Sequence, residues 1–332
     1  MRAFRRTDRY EKQPEQEQFL REVNRLLGPC EEAFTRELDA PPYATVFLVG
    51  TPRCGSTFAA QFFPSVLRLG YVSNLMARFY ETPTVGARLQ AILLDEPTCE
   101  RTFRAEHGYT RGIEATHEFG YFWTRWFDFG QTHQVSDEKL ARVDTAALRR
   151  EIAGMQAVFD APMFFKNLTC ACHIGFLAAA IPHAVFLDLV RSELCTAESI
   201  LKARQDALGN LRDWWSLRPA EYVWLRDLDA YEQIAGQILC TRRRIEQQLE
   251  ALPAAQVLRL TYEALCTRPS AGADALAATL EALGSPAGRR GDVPASFDYR
   301  DADRPLPHRD RFEAAFAALR QRLDSPREEP RP

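Results

Sequence analysis

Thr45-Val46-Phe47-Leu48-Val49-Gly50-Thr51-Pro52-Arg53-Cys54-Gly55-Ser56-Thr57 is the stretch that decides the fold. Five β-type residues run into a glycine-bounded turn, and Phe58 to Phe63 then reads as a helix. Strand, turn and helix in that order form a phosphate-binding loop. Gly50 and Gly55 have the Gly-x4-Gly spacing of a nucleoside-triphosphate loop, but Ser56 stands where its lysine belongs. That lysine neutralises the β- and γ-phosphates, so a triphosphate is poorly held without it. Backbone N–H groups at the helix start still suit one phosphate. Arg53, inside the loop, can reach a second anion attached to it. The loop therefore suits a mononucleotide with one 5′-phosphate and one further small anion.

A second stretch has the same logic. His183-Ala184-Val185-Phe186-Leu187-Asp188-Leu189-Val190-Arg191 reads as a buried strand ending in arginine, and Ser192 to Arg204 has helix-forming composition. A guanidinium offers charge and a fork of donors to a phosphate. Strand-like runs at 45–50, 163–166, 184–190 and 256–261 alternate with helical stretches at 56–69, near 86–95, 168–180, 194–206, around 226–252 and around 271–283. This alternation predicts an α/β fold: a three-layer, P-loop-like parallel sheet flanked by helices in a single domain, with ligands at the C-terminal ends of the strands. The main domain is expected over 41–320, after an N-terminal helical extension at 1–40 and before a disordered tail at 321–332. An aromatic-rich insertion lies at about 99–160, and it and 205–225 are expected to shape a second substrate's pocket.

Pro52-Arg53-Cys54-Gly55-Ser56-Thr57 resembles the Pro-Lys/Arg-Ser-Gly-Thr/Ser-Thr loop of the sulfotransferases that use 3′-phosphoadenosine 5′-phosphosulfate (PAPS). Those enzymes hold the 3′-phosphate with an Arg at a strand end and a Ser eight residues later, the spacing of Arg191 and Ser199. With both sites present, the chain is identified as a bacterial-type member of that class. The resemblance implies that Arg53, Cys54, Gly55, Ser56 and Thr57 bind the 5′ end of PAPS, and Arg191 with Ser199 its 3′-phosphate. Leu258 to Leu265 resembles the family's strand ending in Tyr-Glu-x-Leu, which puts Tyr262 near the adenine. Phe58 stands where the family often has an adenine-facing Trp. Gly288-Arg289-Arg290-Gly291-Asp292 partly resembles the late Arg-Lys-Gly…Gly-Asp segment that closes over the 3′-phosphate, which makes Arg289 or Arg290 a candidate contact. That match lacks the intervening residues and has Val293 in place of Trp. The resemblance runs discontinuously from about residue 45 to 292.

The implied reaction moves a sulfuryl group in line from PAPS to a hydroxyl or amine of a small-molecule, carbohydrate or natural-product acceptor. It needs a base for the acceptor proton and cations for charge developing on the bridging and equatorial oxygens. The transferred group is less charged than a phosphoryl, so no metal ion is implied. Arg53 supplies one cation. Lys166 closes the run Met163-Phe164-Phe165 before Asn167. It reads either as a solvated lysine at a loop start or, by resemblance to the tyrosylprotein and some bacterial sulfotransferases, as a catalytic lysine. For the base, His117 stands at the distance from the loop used by the cytosolic enzymes and titrates near working pH. Glu118 corresponds to the Glu-dependent branch, and Glu81 is a third candidate. The series Phe119, Tyr121, Phe122, Trp123, Trp126, Phe127 and Phe129 reads as core, with part of it walling the acceptor site. Two other classes fit less of the pattern: a P-loop-type nucleotide kinase or hydrolase with an atypical loop, needing a magnesium-binding acid at a strand end, where Asp188 precedes the end and Arg191 occupies it, and a catalytically inactive nucleotide-binding relative.

With 46% apolar and 26% charged residues, the 332-residue chain has ample material for a core, and a net charge of −3 gives no general attraction to nucleic acid. Eight cysteines, at 30, 54, 99, 170, 172, 195, 240 and 266, lack framework spacing and read as reduced thiols of a cytoplasmic protein. Cys170-Ala171-Cys172-His173 invites a metal, but no second ligand pair stands at zinc spacing. The basic start Met1-Arg2-Ala3-Phe4-Arg5-Arg6 precedes no signal-peptide core, and Ile174 to Ile181 is too short to span a bilayer. Nothing in the sequence marks an oligomeric state.

Overall fold

Strand β1 (Thr45–Val49) is buried along its whole length, which follows from its central place in the sheet. The computed structural model describes residues 13–94, 110, 112–299, 301 and 304–324. Within them β2 (Gly70–Tyr71), β3 (Met163–Lys166), β4 (Ala184–Val190) and β5 (Val257–Thr261) complete a five-stranded parallel sheet in the order β2-β3-β1-β4-β5. The helices are α1 (Pro14–Thr35), α2 (Ser56–Val66), α3 (Pro83–Leu93), α4 (Gly120–Trp126), α5 (Asp137–Leu140), α6 (Thr145–Phe159) and α7 (Ile174–Ala180), then α8 (Glu193–Leu208), α9 (Tyr222–Leu225), α10 (Ala230–Glu250), α11 (Tyr262–Thr267), α12 (Pro269–Ala282) and α13 (Arg309–Asp324).

Successive side chains of a strand point to opposite faces, so β1 feeds two cores. Val46 and Leu48 join Phe62 and Phe63 of α2 and Leu276 and Leu280 of α12. Phe47 and Val49 join Trp123 of α4, Ile152 of α6, Leu177 of α7 and Ile245 of α10. The result is the three-layer α/β sandwich expected from the alternation of elements. Phe47 stacks on Phe165 and Phe186 at ring-centroid distances of 5.8 and 5.5 Å, and Trp123 meets it edge-on at 5.8 Å. Such pairs add about 0.5–1.5 kcal/mol to their area burial, and truncating Phe47 to Ala would cost about 3–5 kcal/mol.

The topology fixes where a ligand binds. From β1 the chain turns toward the β2 edge, and from β4 toward the β5 edge, so a crevice opens beyond the C-terminal ends of β1 and β4. Register aligns Leu48 with Lys166 and Val49 with Asp188, which brings the ends of β3, β1 and β4 to one level.

Several element boundaries differ from the sequence expectation. The helix expected from about 226 starts at Ala230, because Asp229 caps it, accepting from Tyr231 and Glu232 while Glu232 returns to the Asp229 N–H. The helix expected over 168–180 is a 3-10 turn at Leu168–Cys172 followed by α7, since His173 (φ −132°, ψ 33°) leaves helical geometry. Helix α2 stops at Val66, where Leu67 becomes extended. Strand β2 and helices α4, α6 and α13 have no counterpart in the sequence reading. Residues 321–324, expected to open the disordered tail, form the last turn of α13. Met1 to Arg6, residue 95 of the expected third helix, Cys99 and 325–332 lie outside the described residues. Helix α1, inside the expected 1–40 extension, docks through Glu31, whose carboxylate accepts from the Thr84 and Val85 N–H groups at the start of α3. No described helix is long and apolar enough to cross a membrane.

Candidate active site

The loop after β1 is shaped by two left-handed residues, Arg53 (φ 67°) and Gly55 (φ 98°), with the Cys54 N–H donating to the Thr51 carbonyl at 3.1 Å. Glycine accepts this conformation freely, whereas for Arg53 it costs on the order of 1–2 kcal/mol. Gly50 is required for a different reason: a Cβ there would lie 2.7 Å from Cys54 Sγ and 2.8 Å from the Leu189 carbonyl oxygen. Burial pushes the Cys54 thiol up to about 11, so it fills space as a neutral group. Gly55 caps α2, and Ser56 and Thr57 form its first turn, whose N–H groups have no partner within the helix and whose dipole favours an anion.

The two segments expected to bind anions meet directly. Arg53 Nε donates to Ser199 Oγ at 2.9 Å, and Arg191 Nη1 donates to the Arg53 carbonyl at 2.8 Å. The other edge of the Arg191 fork, Nε and Nη2, holds both carboxylate oxygens of Asp301 at 2.6 and 2.5 Å. Arg304 Nη1 approaches the same carboxylate at 3.9 Å. Arg191 and Arg304 thus share one aspartate, and Arg53 lies beside Arg191. Burial, and then the charges of Arg191 and Arg304, push the Arg53 pKa down to about 10. For Arg191, burial opposes the charge, but the hydrogen-bonded Asp301 outweighs it and the net shift is upward. An added anion would relieve the crowding of like charge at Arg53.

Beside the guanidinium groups lies an aromatic cluster. Tyr262 opens α11 directly after β5; its ring lies 4.7 Å from the Arg191 guanidinium, and a Cβ on Gly55 would meet it at 2.5 Å. Phe58 packs edge-on against Tyr262 at 6.1 Å and Phe297 at 4.8 Å, and Tyr299 tilts over Tyr262 at 6.0 Å. Phe58 and Tyr262, the two residues that the resemblance puts near the adenine, are therefore neighbours. Phe297, Tyr299, Asp301 and Arg304 were not expected.

Lys166 ends β3 with its side chain only 3% exposed, and its Nζ lies 2.5 Å from Glu118 Oε1. Asn167 Nδ2 donates to the Glu118 carbonyl at 2.8 Å, which fixes the backbone of that residue beside the strand end. The Glu118 charge acts on Arg53, raising its pKa against the larger lowering by burial, so the carboxylate lies within electrostatic reach of the loop. His117 is oriented differently. Its Nδ1 accepts the Phe119 N–H at 2.9 Å, which leaves the neutral ring its proton on Nε2 and no free lone pair for an acceptor's proton.

Other expected residues are placed elsewhere. Arg289 bridges to Leu67 and pairs with Asp274, and the Arg290 N–H donates to the Val66 carbonyl. Both therefore sit at the far end of α2, about 16 Å of helix from the loop. Glu81 is exposed on the α1 side, its N–H donating to Asn24. Phe119, Phe122, Trp123 and Phe127 are fully buried core rather than pocket wall. Asp188, considered for magnesium in the kinase alternative, is held through both oxygens by Arg242 at 2.7 Å. At Cys170-Ala171-Cys172-His173, burial pushes the Cys172 thiol up to about 12 and the His173 pKa down to about 4, and His173 Nε2 donates to the His133 carbonyl. Among the described residues no group of three or more His, Cys, Asp or Glu is placed to hold a metal.

A cavity of about 910 Å³ is lined by Gln134, Leu217, Glu221, Trp224, Thr241 and Arg244, among others. It draws on both segments expected to shape the acceptor pocket, and the 3-10 turn that follows Lys166 forms one wall. Arg53, Glu118 and Lys166 do not line it, so it is not where a group would be transferred.

The chain matches the model of a family described as the sulfotransferase family over residues 45–283. Among solved structures it is similar to sulfotransferase STF1 from Mycobacterium tuberculosis H37Rv, with 15% identity, 92% of this chain and 86% of that chain covered, and a TM-score of 0.53. It is also similar to sulfotransferase STF9 from Mycobacterium avium, with 15% identity, 96% and 79% coverage, and a TM-score of 0.44. No curated protein matches it.

Proposed function

The chain belongs to the sulfotransferase family, and from that premise we propose that it transfers a sulfuryl group from PAPS to a hydroxyl or amine of a small-molecule, carbohydrate or natural-product acceptor. One observation carries the choice of donor. The loop residue Arg53 and the strand-end residue Arg191 lie in one hydrogen-bonded unit with Ser199, two cations side by side at the crevice where open α/β sheets bind ligands. A nucleotide with phosphate at both its 5′ and 3′ positions would span them.

In this reading the first turn of α2 and Arg53 bind the 5′-phosphosulfate, Arg191 binds the 3′-phosphate, and Phe58 with Tyr262 receives the adenine. Glu118 takes the acceptor's proton as the acceptor oxygen or nitrogen bonds to sulfur. The bond from sulfur to the bridging oxygen breaks, and Lys166 with Arg53 stabilises the charge left on the 5′-phosphate. The products are the sulfated acceptor and adenosine 3′,5′-bisphosphate (PAP). The chemistry draws on these side chains and asks nothing of a metal.

The test is to incubate the purified protein with radiolabelled PAPS and a metabolite extract, then identify labelled products by the mass of one added SO3 group. PAP should also raise the melting temperature without magnesium. A protein that neither transfers label nor is stabilised by PAP does not have this function.

A further inference from the structure

Arg191, the residue proposed above to bind the 3′-phosphate, already has a carboxylate in its fork. Asp301 meets Nε and Nη2 through both oxygens, and its side chain is 1% exposed. The third side of the guanidinium, Nη1, donates to the Arg53 carbonyl. A carboxylate and a phosphate present the same pair of oxygens to such a fork, so a phosphate can gain the bidentate edge of Arg191 only where Asp301 gives it up. Binding beside an undisplaced Asp301 would place like charges together in a buried site. Arg304, 3.9 Å from the same carboxylate, would face the same choice of partner.

We propose that Asp301 is an intramolecular competitor for the 3′-phosphate: its carboxylate occupies Arg191 and Arg304 and must leave them when a nucleotide bearing that phosphate binds. The inference rests on the assignment of Arg191 under the proposed function. The residues around Asp301 keep the competitor close. The Phe297 N–H donates to the Cys266 carbonyl at 2.7 Å, and its ring packs on Phe58. Further on, the His308 N–H donates to Glu198 at 2.8 Å, with the His308 ring at 3.1 Å from the same carboxylate. Asp301 is tethered between these two fixed points, so a released carboxylate stays at high effective concentration beside Arg191. Two consequences follow. The observed affinity for a 3′-phosphorylated nucleotide is lower than Arg191 alone would give, because part of the binding energy goes to displacing Asp301. The return of Asp301 to Arg191 also favours release of PAP, which keeps its 3′-phosphate after transfer.

The experiment compares PAP with adenosine 5′-phosphate, which lacks the 3′-phosphate, in the full-length wild type and in Asp301→Asn and Asp301→Ala. Removing the competitor should raise the ratio of PAP affinity to adenosine 5′-phosphate affinity by about tenfold or more, and Asp301→Glu, which keeps the charge, should stay near wild type. A ratio that is unchanged or lower in both neutral variants overturns the proposal, since Asp301 would then be neutral toward the phosphate or a helper in its binding. If both neutral variants lose the melting transition of the wild type, amide exchange on the unmutated protein decides. Exchange at Asp301 and Arg304 should rise with PAP and not with adenosine 5′-phosphate; no difference between the two ligands overturns the inference. The donor assignment is read separately, from transfer of label out of PAPS by the wild type. Transfer with an unmoved affinity ratio sinks this inference alone, whereas absence of both transfer and PAP binding sinks the donor assignment and this inference with it.

Discussion

Glu118 Oε1 lies 2.5 Å from Lys166 Nζ, joining a half-exposed carboxylate to an ammonium that is 3% exposed. The asymmetry suits the separate tasks proposed for the two groups. Lys166 is fixed at the end of β3, level with Leu48 two residues before the phosphate-binding loop, where a leaving 5′-phosphate would develop charge. Glu118 stands on the solvent side, so an acceptor hydroxyl arriving from outside meets the carboxylate first. Asn167 holds the Glu118 backbone, and so ties carboxylate and ammonium to the same turn.

Replacing Lys166 by Ala should lower turnover by about a hundredfold or more while leaving PAP affinity within a few-fold, because its partner is the charge of the transition state rather than a product phosphate. Single-turnover rates and PAP titrations separate the two quantities. A large loss of PAP affinity with undiminished turnover at saturation would make Lys166 a binding residue.

Glu118→Gln should retain PAP binding and lose transfer by about a hundredfold, the usual contribution of a positioned base. His117→Ala should stay within a few-fold of wild type, because the ring's Nδ1 is already taken by the Phe119 N–H. Initial rates with a single identified acceptor test both. The reverse pattern would return the role of base to His117 and require its ring to turn away from Phe119.

The contrast between these two neighbours shows what the sequence could convey. Strand β3 and strand β4 have the limits read from their apolar runs, because a strand buried on both faces must be apolar throughout and leaves an unambiguous run. The loop was legible for a similar reason: glycines at 50 and 55 answer to backbone geometry, and Arg53 is part of the same short stretch. His117 and Glu118 are adjacent in sequence, and which one faces Lys166 depends on a left-handed Phe119 (φ 54°) that no local pattern announces. Arg289 and Arg290 resembled a phosphate-closing segment in composition, yet the chain there pairs with the wrong end of α2. Asp301 is 110 residues from Arg191 in sequence, and an aspartate in a polar stretch carries no mark of a distant buried partner.

The Arg191–Asp301 pair makes a separate prediction about stability and selectivity. Arg191→Gln alone leaves Asp301 buried with Arg304 as its remaining cation, and should destabilise the fold by about 3–5 kcal/mol. Arg191→Gln with Asp301→Asn should recover most of that loss, since no buried carboxylate is left without its partner and Arg304 keeps part of its side chain in water. The double variant should nonetheless bind PAP about ten- to hundredfold more weakly than Asp301→Asn alone, the value of one charge-assisted contact, with adenosine 5′-phosphate nearly unaffected. Urea unfolding and nucleotide titration measure the two effects. If both nucleotides weaken equally, Arg191 does not serve the 3′-phosphate.

The last prediction concerns Glu151, on α6, which is paired with Arg125 of α4 yet mostly buried, its side chain 12% exposed. Burial raises its pKa from 4.5 to about 7 and outweighs the Arg125 contacts, with the Glu31 carboxylate adding to the rise. Glu31 is itself shifted upward by burial. The folded protein therefore binds the Glu151 proton more tightly than the unfolded chain does. Below about 4.5 both states hold it and its ionisation costs nothing; as pH rises from there toward about 7, the unfolded chain releases the proton first and stability falls. With about 1.4 kcal/mol for each pH unit between the two pKa values, the full loss is on the order of 3 kcal/mol. Glu151→Gln keeps a polar partner for Arg125 but has no proton to lose. Its stability relative to wild type should therefore rise between pH 5 and pH 7 and level off toward pH 8, by about 2.5 kcal/mol across the window. Urea unfolding of the two proteins at a series of pH values gives the difference directly, and groups common to both cancel. A difference that shrinks as pH rises would mean that the attraction of Arg125 exceeds the cost of burial, and that ionised Glu151 is the state the fold favours.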